Sequence, residues 1–162
     1  MNHSPADLIV KMNITAWEMQ NKSFADLIEK LSDEQISSEC APGRNTGVYL
    51  LGHITSVSDD LFKILGTGQN MFPQYSDIFV NSPDKSGKSF PSIAELKSAY
   101  HAVTNELDRQ FSEFSTEDWF GKHTAVSYED FIKQPQRNRL NVIINRTTHL
   151  SNHIGQMTFL LK

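Results

Sequence analysis

Four long segments of this chain carry apolar residues at helical spacing, and no segment alternates apolar and polar residues as a half-buried strand does. That periodicity limits the fold to helices packed on helices. The first helix is predicted over Pro5 to Leu31. Ser4 serves as N-cap, Pro5 fits the first helical position, and Asp7 suits the first turn. Its apolar stripe reads Ile9, Met12, Ala16, Met19, Phe24, Leu27, Ile28 and Leu31. Trp17 falls beside this stripe, where a core position is the ordinary role and a pocket wall the special one.

A second helix is predicted from Thr46 to Leu65, stopped by Gly66 and Gly68. A third runs from Ser92 to Phe114, opened by the capping box Ser92-Ile93-Ala94-Glu95. A fourth runs from Arg137 to Leu161, after Pro135. Ser32-Asp33-Glu34-Gln35 and Ser115-Thr116-Glu117-Asp118 each follow an apolar helix end, which hints at two related hairpins. Residues from Gly66 to Pro91 form a long connection with scattered aromatics, of the length used for lids or crossovers. Thr124 to Tyr128 reads as extended.

The short first connection makes helices one and two antiparallel neighbours. The long one permits a crossover, with helix three parallel to helix two and helix four opposing it. The expected architecture is all-α, a four-helix bundle in up-down-down-up order, and residues 1–162 read as one domain. Hydrophobic residues at 38% suffice for a core. No apolar run approaches the ~20 residues of a membrane span. The first residues lack the basic and apolar regions of a signal peptide. Cys40 is the single cysteine, so an internal disulfide is excluded and a reducing cytoplasm is expected. Net charge is −4 and no dense basic face is present, which argues against nucleic-acid binding.

Within this frame three histidines stand out. His149 and His153 are four residues apart, so both imidazoles share one face of the fourth helix. Such a pair is common and needs a third ligand before it means a metal. His53 is the candidate: it follows Leu50 by three residues and precedes Val57 by four, beside the buried stripe of helix two. At ~1.5 Å rise per residue, His53 lies ~10 Å from the start of its helix. His149 and His153 lie ~12–18 Å from the end of theirs, so opposed helices bring all three to one level. The alternative for each imidazole is a satisfied core histidine. His101 sits among Lys97, Thr104, Asn105 and Asp108 and reads as a surface residue.

Other residues near this level have two possible roles. Arg146 precedes His149 by one turn and can grip a carboxylate bidentately, or pair with an acid on the helix surface. Asp60 and Gln156 can orient ligand imidazoles or cap a polar edge. Tyr49 can line a pocket or pack.

Leu51-Gly52-His53-Ile54 together with His149-x-x-x-His153-x-Gly155-Gln156-Met157 resembles the DinB-like metalloproteins, over essentially the whole chain. The resemblance implies a dimeric four-helix bundle that binds a divalent metal through His53, His149 and His153. Zinc, nickel and iron all accept imidazole nitrogen. It also implies one of two functions. The first is a transferase or isomerase acting on a small-molecule substrate with a low-molecular-weight thiol. The second is a non-catalytic, stress-related dimer that binds a metal or small ligand. The chain departs from relatives that carry an acid or extra histidine between the last two ligands. Here the residues are Leu150, Ser151 and Asn152, so a protease mechanism of the His-Glu-x-x-His type is excluded and no catalytic base is named. A catalytic site predicts a pocket over the open metal position, walled by groups such as Tyr49, Trp17 and Arg146.

Overall fold

A computed structural model describes residues 4–161. Four long helices dominate: α1 (Pro5–Lys30), α3 (Gly47–Asp59), α6 (Ile93–Phe111) and α9 (Arg139–Met157). Shorter helices join them: α2 (Asp33–Ser37), α4 (Leu61–Leu65), α5 (Tyr75–Phe79), α7 (Thr116–Phe120) and α8 (Tyr128–Lys133). A 3₁₀ turn over Thr158–Leu160 follows α9. Among the described residues there is no strand, only the isolated bridges Glu39–Thr46 and Lys122–Asn138.

The caps form as the sequence predicts. Ser4 and Asp7, Ser32 and Gln35, Ser92 and Glu95, and Ser115 and Asp118 each make a reciprocal capping box. The predicted echo becomes structural. A long helix, a short capped helix, an antiparallel bridge and a second long helix occur in that order in each half, with α8 inserted in the second.

Side-chain packing fixes the directions. One core cluster joins Phe24, Leu27 and Ile28 of α1, Leu50, Leu51 and Ile54 of α3, Leu96, Ala99 and Tyr100 of α6, and Leu150 and Met157 of α9. The other joins Trp17 of α1, Leu61 and Leu65 of α4, Val103 and Phe111 of α6, and Leu140 and Ile143 of α9. The C-terminal halves of α1 and α9 therefore lie level with the N-terminal halves of α3 and α6. The order is up-down-down-up.

Three predictions change. The expected second helix breaks at Asp60 into α3 and α4. Asp59 is fully buried there, and its two carboxylate oxygens accept the Met71 and Phe72 backbone N–H groups at 2.8 Å each. Thr124 to Tyr128 is no strand: Thr124 N–H donates to Ile64 carbonyl, and Tyr128 opens α8. The stripe of α1 is also displaced. Its buried face runs through Trp17, Asn21, Phe24, Leu27 and Ile28, while Ile9, Met12 and Met19 face outward, Met12 being 69% and Met19 62% exposed. The cause is Asn21, a polar residue in the true stripe. It is buried because its amide donates to the Trp17 carbonyl and accepts from Tyr100 Oη at 2.9 Å.

The long connection is neither a lid nor a free loop. It runs antiparallel along α3 and bonds to it at nearly every turn. Asp84 accepts from Thr46, Tyr49 Oη donates to Ser82 carbonyl, His53 Nδ1 meets Phe79 carbonyl, and Asp59 holds Met71 and Phe72. Asn70 closes the run by donating to Asp60. Gly52 makes room for this course, since a Cβ there would lie 2.4 Å from the Phe79 ring.

This close approach predicts opposite signs for the same substitution at two helical glycines. Gly52→Ala overpacks the Phe79 contact and is expected to destabilise by about 1–3 kcal/mol. Gly155→Ala, with nothing within 4 Å of its Cβ, is expected to stabilise by roughly 0.5–1 kcal/mol. Urea denaturation of the two variants decides the point; equal effects would contradict the packing described.

Candidate metal centre

His53 comes from the middle of α3, and His149 and His153 from successive turns of α9. The antiparallel course of the two helices puts all three at one level. His149 Nε2 lies 3.2 Å from His53 Nε2 and 3.0 Å from His153 Nε2. The rings meet at steep angles, 64° between His53 and His149, 76° between His53 and His153, and 86° between His149 and His153. Nitrogen edges, not ring faces, converge on one point.

The outward nitrogens set the tautomers. His53 Nδ1 is 2.8 Å from the Phe79 carbonyl oxygen, which can only accept, so Nδ1 carries the proton. His153 Nδ1 is 3.0 Å from Gln156 Oε1 and donates to it in the same way. Both Nε2 atoms therefore turn lone pairs inward. His149 can place at most one proton between them. The three together form an acceptor set suited to a cation.

Electrostatics keep the rings neutral. Burial is the main force holding all three below the ordinary histidine range. His149 is pushed down to about 4, by burial first, then by His153, His53 and the Arg146 charge. Neutral imidazole is the ligating form, so protons compete weakly here.

The donor set fits a divalent ion. All three ligand nitrogens lie within 4.8 Å of one another. Nitrogens ~2.0–2.1 Å from a tetrahedral zinc stand ~3.3–3.4 Å apart, close to the spacings present. Three histidines that leave further positions open match catalytic rather than closed structural sites.

The remaining candidates sort as follows. Gln156 touches the centre through His153 Nδ1. Tyr49 stacks parallel to the His53 ring, 9° off plane with centroids 6.2 Å apart, while its hydroxyl is held by Ser82. Asp60 touches none of the imidazoles; it accepts from Asn70 and pins the crossover. Trp17 lies in the second core cluster against Phe111, away from the histidines, so it walls no pocket there. Arg146 is half-buried beside the cluster and makes no ion pair among the described residues, contrary to a surface arginine matched with an acid.

Phe79 was not foreseen as part of the site. Its contribution is a backbone carbonyl, which leaves no trace in residue identity. A cavity of about 500 Å³ opens between the 40–45 loop and the end of α9, lined by Cys40, Arg44, Asn45, Leu50, Gln156 and Phe159. None of the expected walls Tyr49, Trp17 and Arg146 lines it, nor do the three histidines; its one link to them is Gln156, the hydrogen-bond partner of His153.

The sequence profile of the DinB superfamily matches residues 16–157, and the chain belongs to that superfamily. A comparison with curated proteins gives no match. Among the described residues no helix is long and apolar enough to cross a membrane.

The depressed histidines make a prediction about acid. Between pH ~6.5 and ~4 the unfolded chain takes up protons that the folded histidines refuse, so the metal-free protein loses stability as pH falls through that window. Urea midpoints at pH 7.5 and 4.5 are expected to differ more for the native sequence than for a His53→Gln, His149→Gln, His153→Gln variant. Equal differences would show that the three rings titrate freely.

Proposed function

We propose that the protein is a divalent-metal-dependent enzyme that uses a low-molecular-weight thiol on a small electrophilic substrate, as a transferase or isomerase. The observation that carries this reading is the convergence of three neutral imidazole Nε2 atoms, two of them fixed in tautomer by Phe79 and Gln156. His53, His149 and His153 would hold a divalent ion, zinc, nickel or iron, which would supply Lewis acidity that lowers the pKa of a thiol. The thiolate is the nucleophilic form. In the transferase case its sulfur bonds to an electrophilic carbon, the leaving group departs with the bonding pair, and the thiol proton passes to solvent.

The protein's own part is positional. Phe79 and Gln156 hold two ligand rings, and burial keeps all three unprotonated. No carboxylate joins the cluster within ligand distance among the described residues, so the reaction class is one that needs no protein base at the metal. The buried free thiol of Cys40 agrees with a reducing cytoplasm.

Elemental analysis after growth with supplied metal tests this reading. The native protein is expected to hold about one ion per chain, and His53→Ala, His149→Ala and His153→Ala each to lose it almost wholly. Equal metal content in all four would end the metal hypothesis. Turnover with a panel of thiols and electrophiles then separates enzyme from binder.

The second reading is a non-catalytic dimeric bundle that binds a metal or small ligand. The observation favouring the dimer, in either reading, is the outward apolar stripe Leu8, Ile9, Met12 and Met19 on α1. We infer that two copies pair through it. Sedimentation is expected to give a dimer for the native chain and a monomer for Met12→Glu, Met19→Glu, with metal content unchanged. A native monomer, or a dimer that survives both charges, would overturn this pairing.

A further inference from the structure

Arg146 lies on the same face of α9 as His149 and His153, one turn before the first of them. Its Nε atom is buried and has no hydrogen-bond partner, and no carboxylate among the described residues comes within ion-pair distance of the guanidinium. Asp60 is the acid whose charge reaches it, but the Asp60 side chain is taken up by Asn70. Its place three residues before His149 on one helix face, and its partial burial, set it beside the histidine cluster, and its charge disfavours protonation of His53 and His149.

This placement is unusual on physical grounds. The Nε–H is withdrawn from water with no acceptor to replace it, which costs free energy, and a partly buried arginine is normally paired. Arg109, an exposed arginine, illustrates the ordinary case: it is matched to both Glu106 and Glu113 on its own helix. Arg146 faces the one part of the bundle where a ligand is expected. Guanidinium offers a planar fork of donors that matches a carboxylate with two parallel hydrogen bonds.

We propose that Arg146 is the anion-binding residue of the site, holding the carboxylate of a ligand whose donor atom occupies the histidine cluster. The proposal rests on the metal-and-thiol reading above and adds the class of ligand: a short mercaptocarboxylate. Arg146 and His149 are three residues apart on α9, ~4.5 Å along the helix axis, so a ligand that engages both is a short one.

The test uses the full-length protein loaded with cobalt(II), whose visible absorption reports the ligands around the ion. Two probes of equal length are titrated, 3-mercaptopropionate and its uncharged counterpart 3-mercapto-1-propanol. The native protein is expected to bind the charged thiol about tenfold or more tightly, read from the sulfur-to-cobalt charge-transfer band. Arg146→Met keeps the apolar stem and is expected to bring the two probes within about twofold, with cobalt content and mercaptopropanol affinity unchanged. Arg146→Lys is expected to retain part of the preference. Equal affinities in the native protein, or a preference that survives Arg146→Met, would overturn the proposal while leaving thiol binding intact. Cobalt uptake with no charge-transfer band from either thiol would instead remove the thiol reading, and this proposal with it.

Discussion

The structure depends on one long contact: the strap of residues 70–84 bonded along the length of α3. A connection of this size carries many backbone groups that must be satisfied somewhere. Here α3 satisfies the Ser82 and Phe79 carbonyls and the Met71 and Phe72 N–H groups through Tyr49, His53 and Asp59, while Thr46 and Asp60 at its ends bond the Asp84 and Asn70 side chains. The strap also lays Phe79 across Gly52, in a gap that only a missing side chain provides. The crossover that makes α6 run parallel to α3 is thereby the same element that fixes the first histidine ligand. Topology and site chemistry share one set of hydrogen bonds.

From that constraint the centre follows. The Phe79 carbonyl determines which His53 nitrogen holds the proton, and so which turns toward α9. Gln156 does the same for His153 from within its own helix. The imidazoles sit half-buried at an edge of the core, where burial favours their neutral form. Arg146 adds a fixed positive charge one turn away. On the proposed reading, neutral nitrogen donors on one side and a guanidinium on the other select ligands that bring their own negative charge.

The sequence carried the helices more clearly than the path between them. Helical period marked α1, α6 and α9, and serine caps marked the first two, because each signal is local. The crossover helix α5 and the turn α8 were illegible, since five or six residues show too little periodicity to separate from loop. The face of α1 was misplaced because Asn21 hides a buried position, and its partner Tyr100 lies 79 residues away. The same limit applies at the centre. His53, His149 and His153 could be named from spacing and family resemblance, whereas Trp17 and Asp60 were drawn toward the site by helical register alone. Trp17 belongs to the second core cluster, and Asp60 serves the strap. No residue pattern could announce the Phe79 carbonyl.

The central claim is that these three imidazoles hold a single divalent ion between α3 and α9. X-ray absorption spectroscopy of the zinc-loaded protein tests it at the metal itself. The structure predicts three imidazole nitrogens per zinc at ~2.0–2.1 Å, with the remaining coordination filled by light atoms from solvent. One imidazole or none, or a sulfur neighbour at ~2.3 Å supplied by Cys40, would contradict it.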